Sequence, residues 1–596
     1  MSEAPVLVVL TASGAELARR IQARFPGCEI HGLASRVENC DRRFERTMEH
    51  IAGLFQAGRP VIGICAAGIL IRAVAGLLAD KQSEPPVLAL SPDGGSVVPL
   101  LGGHKGANRL AQELAAVTGG VAAVTTAGDV LHGVSLDDPP AGWKIARPEA
   151  AKPVMADLLA GKPLSLCGDG GAWLAPLKLA SADAASARIH VTTRSVDPLP
   201  EQSLVLHPPR LVIGVGCERD CAPEELTGLV RSTLERHGLA AASVAAVVSV
   251  DLKSDEPAVH AVAESLAVPA RFFDPARLEQ ETPRLVNPSD IVFSEVGCHG
   301  VSEGAALAAV GASGQLVVPK TKSARATCAI AEATGDLDPL NLGVGRGHLA
   351  VIGVGPGSAD WRTAEATALL TGAEDVVGYG FYLDLVADLI ADKPRHQTDL
   401  GAEEERARRA IELAATGRRV ALVCSGDAGI YALATLVWEL LDQGQDAAWR
   451  RIEVTVAPGV SALQAAAARA GAPIGHDFCA ISLSDLLTPR ETILQRLQAA
   501  VDGDFVTALY NPRSQRRTEL IERAIELYRA GRPATTPVVI ARSLGRPDEA
   551  VRIVELQHLD PADIDMMTIL LIGASRTTTL EHGGKLHAYT PRGYLS

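Results

Sequence analysis

Glycine-rich turns after apolar strands are the parts of this sequence where ligand chemistry is easiest to foresee. In HLAVIGVGPG a strand-like run leads into a turn that contains Gly353, Gly355 and Gly357, and Thr363 then marks the start of a helix. Glycine allows a ligand to approach the main chain closely, and the first turn of a helix offers unpaired N–H groups. The stretch is therefore a candidate ligand-binding turn.

A dinucleotide is one interpretation of this turn, and two observations count against it. A dinucleotide-binding unit needs an acidic residue at the end of its second strand, about twenty positions on. Glu374 and Asp375 lie at that distance, but they precede the apolar run VVGYG instead of following it. Pro356 also removes one N–H donor from the turn. A nicotinamide-dependent oxidoreductase stays an alternative, and it predicts binding of NADH.

Further strand-and-turn stretches follow in this half of the chain. They are RVALVCSGDAGIYALATLVWEL (419–440), EVTVAPGVSALQAAAARAGAPIGHDF (453–478), FVTALYNPRSQRR (505–517) and MMTILLIGASR (566–576). The order GxGPG, SGDAGIY, APGVSA, LYNPRS and TILLIG resembles the tetrapyrrole methylase family of S-adenosylmethionine-dependent methyltransferases. SGDAGIY and ALYNPRS are most similar to its precorrin-3B C(17)-methyltransferase branch. The resemblance covers about residues 348–587.

The resemblance implies a two-lobed α/β enzyme that forms a homodimer and holds a folded S-adenosylmethionine between its lobes. The family's cofactor-contact positions correspond here to Gly355, Pro356, Gly357, Ser425, Gly426, Asp427, Ile430, Ser461, Ala462, Tyr510, Asn511 and Thr568. Ser425 stands where the family has the first glycine of a Gly-Gly-Asp triplet. A helix N-cap is the alternative role for Asp427, and a core aromatic with a satisfied hydroxyl is the alternative for Tyr510.

The resemblance to this branch also implies that methyl transfer to C(17) is coupled to contraction of the macrocycle. That step requires a base near a tertiary alcohol. His476 and Asp477 in PIGHDF are candidates because they follow the APGVSA stretch, and a buried structural histidine is the alternative. The sequence does not distinguish precorrin-3B from cobalt-factor III as the substrate.

The amino-terminal half carries a second set of motifs. They are GICAAGILIRAVAGLL, SPDGGSVVPLLGGHKGANRLAQELA, TTAGD, GVGCERDC, SEVGCHGVSEGAALAA and VVPKTKSARATCAIAEA, and they resemble the cobalt-precorrin-5A hydrolase family over about residues 5–335. That family opens a δ-lactone on the macrocycle and releases acetaldehyde. A non-catalytic tetrapyrrole-binding or hand-off module is the alternative. The polar residues to test are His104, Lys105, Glu295, His299, Lys320 and Lys322, with His104 and Lys105 as candidate catalytic groups.

The charge balance restricts the kinds of partner. Lys plus Arg number 56 and Asp plus Glu number 70, so the net charge is −14, which disfavours a nucleic-acid partner. A small polyacidic tetrapyrrole would need positive charge concentrated locally. Candidate substrate-binding cations are Arg513, Arg516 and Arg517 after LYNP and Lys320 and Lys322, and Lys105 with Arg109 forms a further group.

The remaining composition predicts a cytoplasmic protein. The ten cysteines form no Cys-x-x-Cys pair and no zinc-finger spacing, which predicts reduced thiols and no metal site. The amino terminus lacks a basic region before its short apolar run, and no stretch reaches the ~18 apolar residues of a membrane span. We therefore expect neither a signal peptide nor a membrane partner.

The elements that position these motifs follow from the rhythm of the chain. Short apolar runs alternate with helix-period segments, which predicts multidomain α/β architecture. The length of 596 residues suggests about four domains. We expect an α/β domain over 1–135, a proline-rich connector with a modest fold over 136–208, a second α/β domain over 209–338 and a two-lobed α/β unit over 346–596.

Overall fold

The computed structural model describes residues 4–592 apart from 26, 39, 80–83, 178, 182–183, 200–201, 392, 400, 445 and 515–517. The chain forms two compact units, Met1–Arg346 and Gly347–Ser596. The predicted multidomain α/β class is confirmed, since parallel-rich sheets covered by helices recur in both units. Among the described residues, no helix is both long and apolar enough to cross a membrane.

The first sheet of the amino-terminal unit has the order β3-β2-β1-β4-β5-β6-β7. Strands β1 and β4 are buried along their whole length, as central parallel strands must be when helices cover both faces. The elements are β1 (Val6–Val9), α1 (Ala12–Gln22), β2 (Glu29–Leu33), β3 (Arg42–Phe44), α2 (Thr47–Gln56), β4 (Val61–Ile64), α3 (Ala67–Val74), β5 (Val87–Leu90), β6 (Ser96–Leu101), α4 (Ala107–Thr118), β7 (Val121–Ala122) and α5 (Ala127–His132).

A small sheet of order β8-β11-β10-β9 follows. Its elements are β8 (Lys144–Ile145), α6 (Ala151–Leu159), β9 (Leu164–Cys167), α7 (Gly171–Leu174), β10 (Ala187–Val191) and β11 (Ser203–His207). Trp143, Ile189 and Leu204 belong to a core of its own. The proline-rich segment is therefore a folded layer, not an extended tether.

The third sheet has the order β14-β13-β12-β16-β15. Its elements are β12 (Leu211–Cys217), α8 (Pro223–Arg236), β13 (Val244–Val250), α9 (Pro257–Leu266), β14 (Ala270–Phe273), α10 (Pro275–Glu279), α11 (Asp290–Val296), α12 (Val301–Val310), β15 (Gln315–Lys322) and β16 (Ala326–Glu332). Helix α12 is buried on nearly all sides and lies against β12, where a Cβ added at Gly214 would be 1.9 Å from Ser302 O. The small residues of VSEGAALAAV permit this close approach.

The carboxy-terminal unit begins with a parallel sheet of order β19-β18-β20-β17-β21, which we call the first lobe. Its elements are β17 (His348–Gly353), α13 (Ala364–Gly372), β18 (Asp375–Tyr379), α14 (Gly380–Leu383), α15 (Ala387–Ile390), β19 (Arg395–Thr398), α16 (Glu403–Ala415), β20 (Arg419–Cys424), α17 (Leu433–Gln443), α18 (Ala447–Arg451) and β21 (Glu453–Ala457). Because all five strands are parallel, the turns that follow them lie at one edge.

The second lobe contains a mixed sheet of order β23-β24-β27-β25-β26 and a small sheet of order β22-β29-β28. Its elements are α19 (Ala462–Ala470), β22 (Gly471–Ala472), β23 (Phe478–Ser482), α20 (Arg490–Asp502), β24 (Val506–Tyr510), α21 (Glu519–Gly531), β25 (Pro537–Arg542), β26 (Ala550–Glu555), β27 (Thr568–Ile572), β28 (Thr578–His582) and β29 (Lys585–Tyr589). Helix α19 follows β21 and leads from the first lobe into the second.

Candidate functional site

The turns after β17 and β20 are hydrogen-bonded to each other. Gly355 N–H donates to Gly426 O at 3.1 Å, and Gly426 N–H donates to Gly355 O at 2.8 Å. Both glycines have positive φ angles, 80° at Gly355 and 70° at Gly426, which residues with a Cβ rarely adopt. Gly355 and Gly426 are therefore required by the backbone of this contact between the turns, which we call the joint.

The turn after β21 joins the same point. Asp427 accepts Gly459 N–H through Oδ2 at 3.0 Å and Gly429 N–H through Oδ1 at 2.8 Å. A Cβ added at Gly353 would lie 2.6 Å from Gly426 O and 2.8 Å from Gly459 N, so the main chains of the turns are in direct contact. The N-cap alternative for Asp427 is wrong, because α17 begins at Leu433.

The start of α19 faces this joint. Ser461 is buried and caps the helix, accepting Gln464 N–H at 3.2 Å, while its own N–H donates to Gln464 Oε1. A Cβ added at Gly426 would find no atom nearer than 3.9 Å, where Ala462 N lies. A methyl-sized group at Gly426 would therefore make ordinary van der Waals contact with the first residues of α19, without a clash.

The second lobe reaches the same helix through Tyr510. Its hydroxyl accepts Leu463 N–H at 3.1 Å, and burial raises the pKa of Tyr510. The ring of Tyr431 lies 5.1 Å from that of Tyr510, and the Tyr431 hydroxyl donates to Ala480 O at 2.8 Å. Tyr510 is thus a core aromatic with a satisfied hydroxyl, and it also borders the joint.

Tyr510→Phe removes the acceptor of a buried first-turn N–H group of α19. We expect a loss of about 1 kcal/mol in the free energy of unfolding. We also expect several-fold weaker binding of S-adenosylhomocysteine, because the start of α19 would move. Calorimetry measures the affinity and thermal melting measures the stability. Tyr589→Phe, at the end of β29 in the β28–β29 hairpin, is the control. Unchanged affinity in Tyr510→Phe would contradict the placement of Tyr510 at the site.

The remaining predicted cofactor residues lie after β20 in the first lobe and at the carboxyl end of β24 in the second lobe. Ile430 and its neighbour Tyr431 are exposed, at 36% and 52%. Asn511 has a φ angle of 50°, and its Nδ2 donates to Ser482 Oγ at 3.1 Å. Thr568 begins β27 and donates to Asp565 Oδ1 at 2.8 Å. Because β27 is antiparallel to β24 and β25, its amino end lies where those strands end.

The loop after β25 completes the contact of the lobes at Pro356 and Gly357. Arg546 Nε donates to Pro356 O at 3.2 Å. A Cβ added at Gly357 would lie 2.6 Å from Leu544 O. Arg546 is not among the predicted site residues, and its position in SLGRPDE, directly after an apolar strand, is the signal in the sequence that could have indicated it.

The structure does not bring His476 and Asp477 to this joint. Both precede β23, which runs parallel to β24, whereas Tyr510 and Asn511 lie where β24 ends. A strand of five residues spans about 16 Å, so the pair lies at the opposite edge of the sheet. The pair follows APGVSA in the sequence but is not near it in the fold, because α19 runs between APGVSA and His476.

The predicted substrate arginines are only partly described. Arg513 donates through Nη1 to Pro561 O. Arg516 and Arg517 lie outside the described residues. Whether this group binds a polyacidic ring therefore stays a prediction.

In the amino-terminal unit, Lys105 and Arg109 line a cavity of about 320 Å³. Pro60 and Pro86 also line it, and they directly precede β4 and β5, so the cavity lies at the amino edge of the first sheet. The GGHKG turn therefore borders a concave surface whose charged lining residues are Lys105, Arg109 and Glu113, and Arg109 also pairs with Asp138 at 3.4 Å. The side chain of His104 lies outside the described residues.

The predicted lysines of β15 differ in their surroundings. Lys320 Nζ donates to Asn287 O at 3.0 Å, and burial lowers the pKa of Lys320. Its backbone N–H donates to Glu303, whose carboxylate is buried. Lys322 is exposed at the end of the strand. Lys322 is thus the more accessible of the two to an anionic ligand.

The other predicted polar residues of this unit lie on or beside α11. Glu295 is exposed on α11. His299 Nδ1 lies 2.9 Å from Glu279 Oε1, and its ring stacks on Phe293 with centroids 4.4 Å apart. Among the described residues, no group of three His, Cys, Asp or Glu side chains could hold a metal ion.

Sequence reasoning missed a cluster on β2 and α2. His31 is fully buried, with Nε2 2.8 Å from Glu29 Oε2 and Nδ1 2.8 Å from His50 Nε2. The hydrogen bond from His31 lowers the pKa of Glu29 to about 2, and burial lowers the pKa of His50 to about 4. Since a carboxylate only accepts, His31 donates from Nε2. Pairing across separate elements leaves no periodic signal in the sequence.

The His50 shift predicts acid-sensitive folding of this cluster. An unfolded histidine takes up a proton near pH 6.5, whereas folded His50 does so only near pH 4. Local stability is therefore complete above pH 6.5 and falls towards pH 4, by about 1 kcal/mol for a partly exposed ring. Hydrogen exchange of α2 at pH 5 and pH 7 measures this. His50→Gln should remove the dependence and the exposed control His582→Gln should keep it; an unchanged dependence in His50→Gln would contradict the assignment.

Three family models match the chain. Residues 348–560 match Tetrapyrrole (Corrin/Porphyrin) Methylases, residues 211–331 match Cobalamin synthesis G C-terminus and residues 49–129 match Cobalamin synthesis G N-terminal.

Relatives of known name align with the carboxy-terminal unit. A precorrin-3B C(17)-methyltransferase of Sinorhizobium sp is 44% identical over 249 residues, which are 42% of this chain and 97% of the relative. A probable cobalt-factor III C(17)-methyltransferase of Salmonella typhimurium is 45% identical, covering 41% of this chain and 99% of the relative. The crystal structure of the methyltransferase CobJ is 42% identical, covers 41% of this chain and all of that chain, and has a TM-score of 0.39.

Proposed function

The chain belongs to the tetrapyrrole methylase family through its carboxy-terminal unit, and we propose that this unit methylates C(17) of precorrin-3B or cobalt-factor III in cobalamin biosynthesis, with ring contraction. The observation that carries the proposal is the joint of the turns. Gly355, Gly426 and Gly459 meet through backbone contacts beside the start of α19, and Tyr510 of the second lobe is bonded to that helix.

The chemistry of the joint fits S-adenosylmethionine. Gly426 has no side chain and a Cβ there would meet no clash, and the exposed Ile430 and Tyr431 supply apolar surface next to it. When bound there, S-adenosylmethionine supplies a methyl group on an activated sulfonium. We propose that the donor is held by the cofactor-contact positions that the family resemblance implies, from Gly355 to Thr568.

The contribution of the chain is mainly orientation. Holding donor and acceptor in line replaces a bimolecular encounter, and such alignment can supply several kcal/mol of the barrier. The bonded turns fix the donor side, and the lobe contact at Pro356 fixes the opening between the lobes. His476 and Asp477 form no part of this proposal, because they lie at the opposite edge of the second-lobe sheet.

Transfer of a deuterated methyl group tests the methylase proposal. The full chain is incubated with methyl-deuterated S-adenosylmethionine in two separate reactions. One reaction contains precorrin-3B and the other contains cobalt-factor III. We expect one of the two rings to gain a single labelled methyl group, and the preferred ring identifies the aerobic or the anaerobic route. Recovery of both rings without label would reject the proposal.

For the amino-terminal unit we propose a lactone-opening role of the cobalt-precorrin-5A hydrolase type. The matches to the Cobalamin synthesis G models and the cavity that Lys105 lines support it. Acetaldehyde release from the lactone intermediate is the test, with Lys105→Ala as a variant that should reduce it. Tight binding of the intermediate without acetaldehyde would favour a tetrapyrrole carrier instead.

We propose that the protein is a cytoplasmic homodimer that associates through the methylase unit. We also propose the division into 1–135, 136–208, 209–338 and 346–596 as its domains, on the basis of the separate sheets. Light scattering should give twice the chain mass of 62.2 kDa, and a value equal to one chain would contradict the dimer.

A further inference from the structure

Arg546 is a partly buried cation between the lobes of the methylase unit. Its Nε donates to Pro356 O at 3.2 Å, and its Cζ lies 4.1 Å from the centroid of the Phe381 ring. Its Nη1 is buried and has no hydrogen-bond partner in the part of the chain that the structure describes. Buried donors are nearly always paired in folded proteins, so this one is expected to have a partner that the structure does not contain.

The carboxylates of the same loop are engaged elsewhere. Asp548 Oδ2 accepts hydrogen bonds from Ser543 Oγ at 2.8 Å and from Arg542 Nη1 at 3.0 Å. Glu549 accepts Gly545 N–H at 2.6 Å and Arg469 Nε at 2.7 Å. In the part of the chain that the structure describes, neither carboxylate makes a hydrogen bond or ion pair with Arg546, although the nearby charge of Asp548 acts to raise its pKa.

The position of Arg546 links it to the proposed donor site. Pro356, which it contacts, lies in the GVGPG turn, and Phe381 beneath the guanidinium is 44% exposed. Partial burial lowers the pKa of Arg546. A guanidinium in such a place matches the planar geometry of a carboxylate, which can accept from its N–H groups.

We propose that Arg546 is a carboxylate-binding residue of the methylase site and that its Nη1 donates to a carboxylate of a bound ligand. The inference rests on the proposed function. The carboxylate can come from the amino-acid part of S-adenosylmethionine or from an acetate or propionate side chain of the macrocycle. Both sources offer the same chemistry, and they are separable by experiment.

A ligand-and-variant cycle separates them. Full-length wild-type protein and Arg546→Met are titrated calorimetrically with S-adenosylhomocysteine and with S-adenosyl-3-thiopropylamine, its decarboxylated analogue. If the donor supplies the carboxylate, the wild type should prefer S-adenosylhomocysteine by about tenfold or more, and Arg546→Met should lose that preference. Arg552→Met is the control. Arg552 lies on β26 of the same lobe, where it is exposed and forms an ion pair with Asp563.

Titration of the same proteins with cobalt-factor III, followed by its absorbance, tests the second source. At least tenfold weaker binding in Arg546→Met alone, with the donor preference intact, would assign the macrocycle carboxylate. The proposal would be overturned if Arg546→Met lost affinity equally for both nucleosides, or if its affinity for every ligand were unchanged. Arg546 would then serve only to support Pro356. If Arg546→Met melts lower than Arg552→Met, Arg546→Lys takes its place in the cycle.

These binding measurements need no methyl transfer. A normal carboxylate preference in a protein that transfers no methyl group would reject the proposed activity and leave the Arg546 assignment standing. Methyl transfer by a protein that shows no carboxylate preference would support the proposed activity and reject the Arg546 assignment.

Discussion

Gly459→Ala is expected to weaken binding of S-adenosylhomocysteine about a hundredfold, which corresponds to about 2.7 kcal/mol. A Cβ at this position would lie 2.2 Å from Gly426 O and 2.7 Å from Gly353 O. These neighbours are backbone atoms, so they cannot yield as a flexible side chain does, and overpacking of this kind typically costs about 1–3 kcal/mol. Relief requires the turns after β17, β20 and β21 to separate. Calorimetry on the full chain measures the affinity.

Gly372→Ala is the matched control. Gly372 ends α13 in the same lobe, and an added Cβ there would meet no atom within 4 Å. Its affinity and melting temperature should equal those of the wild type. If Gly459→Ala binds as tightly as Gly372→Ala, the joint of the turns does not form the donor site.

Asp427→Ala is expected to weaken donor binding about tenfold, or about 1.4 kcal/mol. The substitution leaves Gly429 N–H and Gly459 N–H without their charged acceptor, and hydrogen bonds to charged groups are worth more than neutral ones. The SGD and APGVSA turns would then lose the side-chain link that holds them together. Asp427→Asn should lose less, because an amide oxygen still accepts one of the bonds.

Asp446→Ala provides the comparison for this variant. Asp446 accepts Ala448 N–H at 2.8 Å at the start of α18, so it makes a similar backbone contact away from the joint. We expect it to lower the melting temperature without changing affinity. Equal affinity in Asp427→Ala and Asp446→Ala would show that Asp427 serves stability alone.

Much of the fold could be predicted from local patterns. Runs such as VLVV and LVIGVGC form buried central strands, because a strand covered on both faces has no polar side to alternate. Thr363 caps α13, as its position before an apolar segment predicts. Gly355 of GVGPG and Gly426 of SGD lie in the turns after their strands, since glycine adopts their positive φ angles without strain.

The parts that could not be predicted depend on pairing between distant residues. The bond from Gly459 to Asp427 spans 32 positions, and Arg546 reaches back 190 positions to Pro356. His31 and His50 meet across different elements. Local periodicity shows which face of an element is buried, but it does not specify which polar groups meet there. The same limit explains His476, which is near APGVSA in sequence and remote from it in the fold.

A crystal structure of the full chain with S-adenosylhomocysteine tests the central claim most directly. The account predicts that the nucleoside lies beside Gly426, in contact with the start of α19 and with Tyr510. A nucleoside bound outside the contact of the two lobes, with the space at Gly426 unfilled, would contradict it.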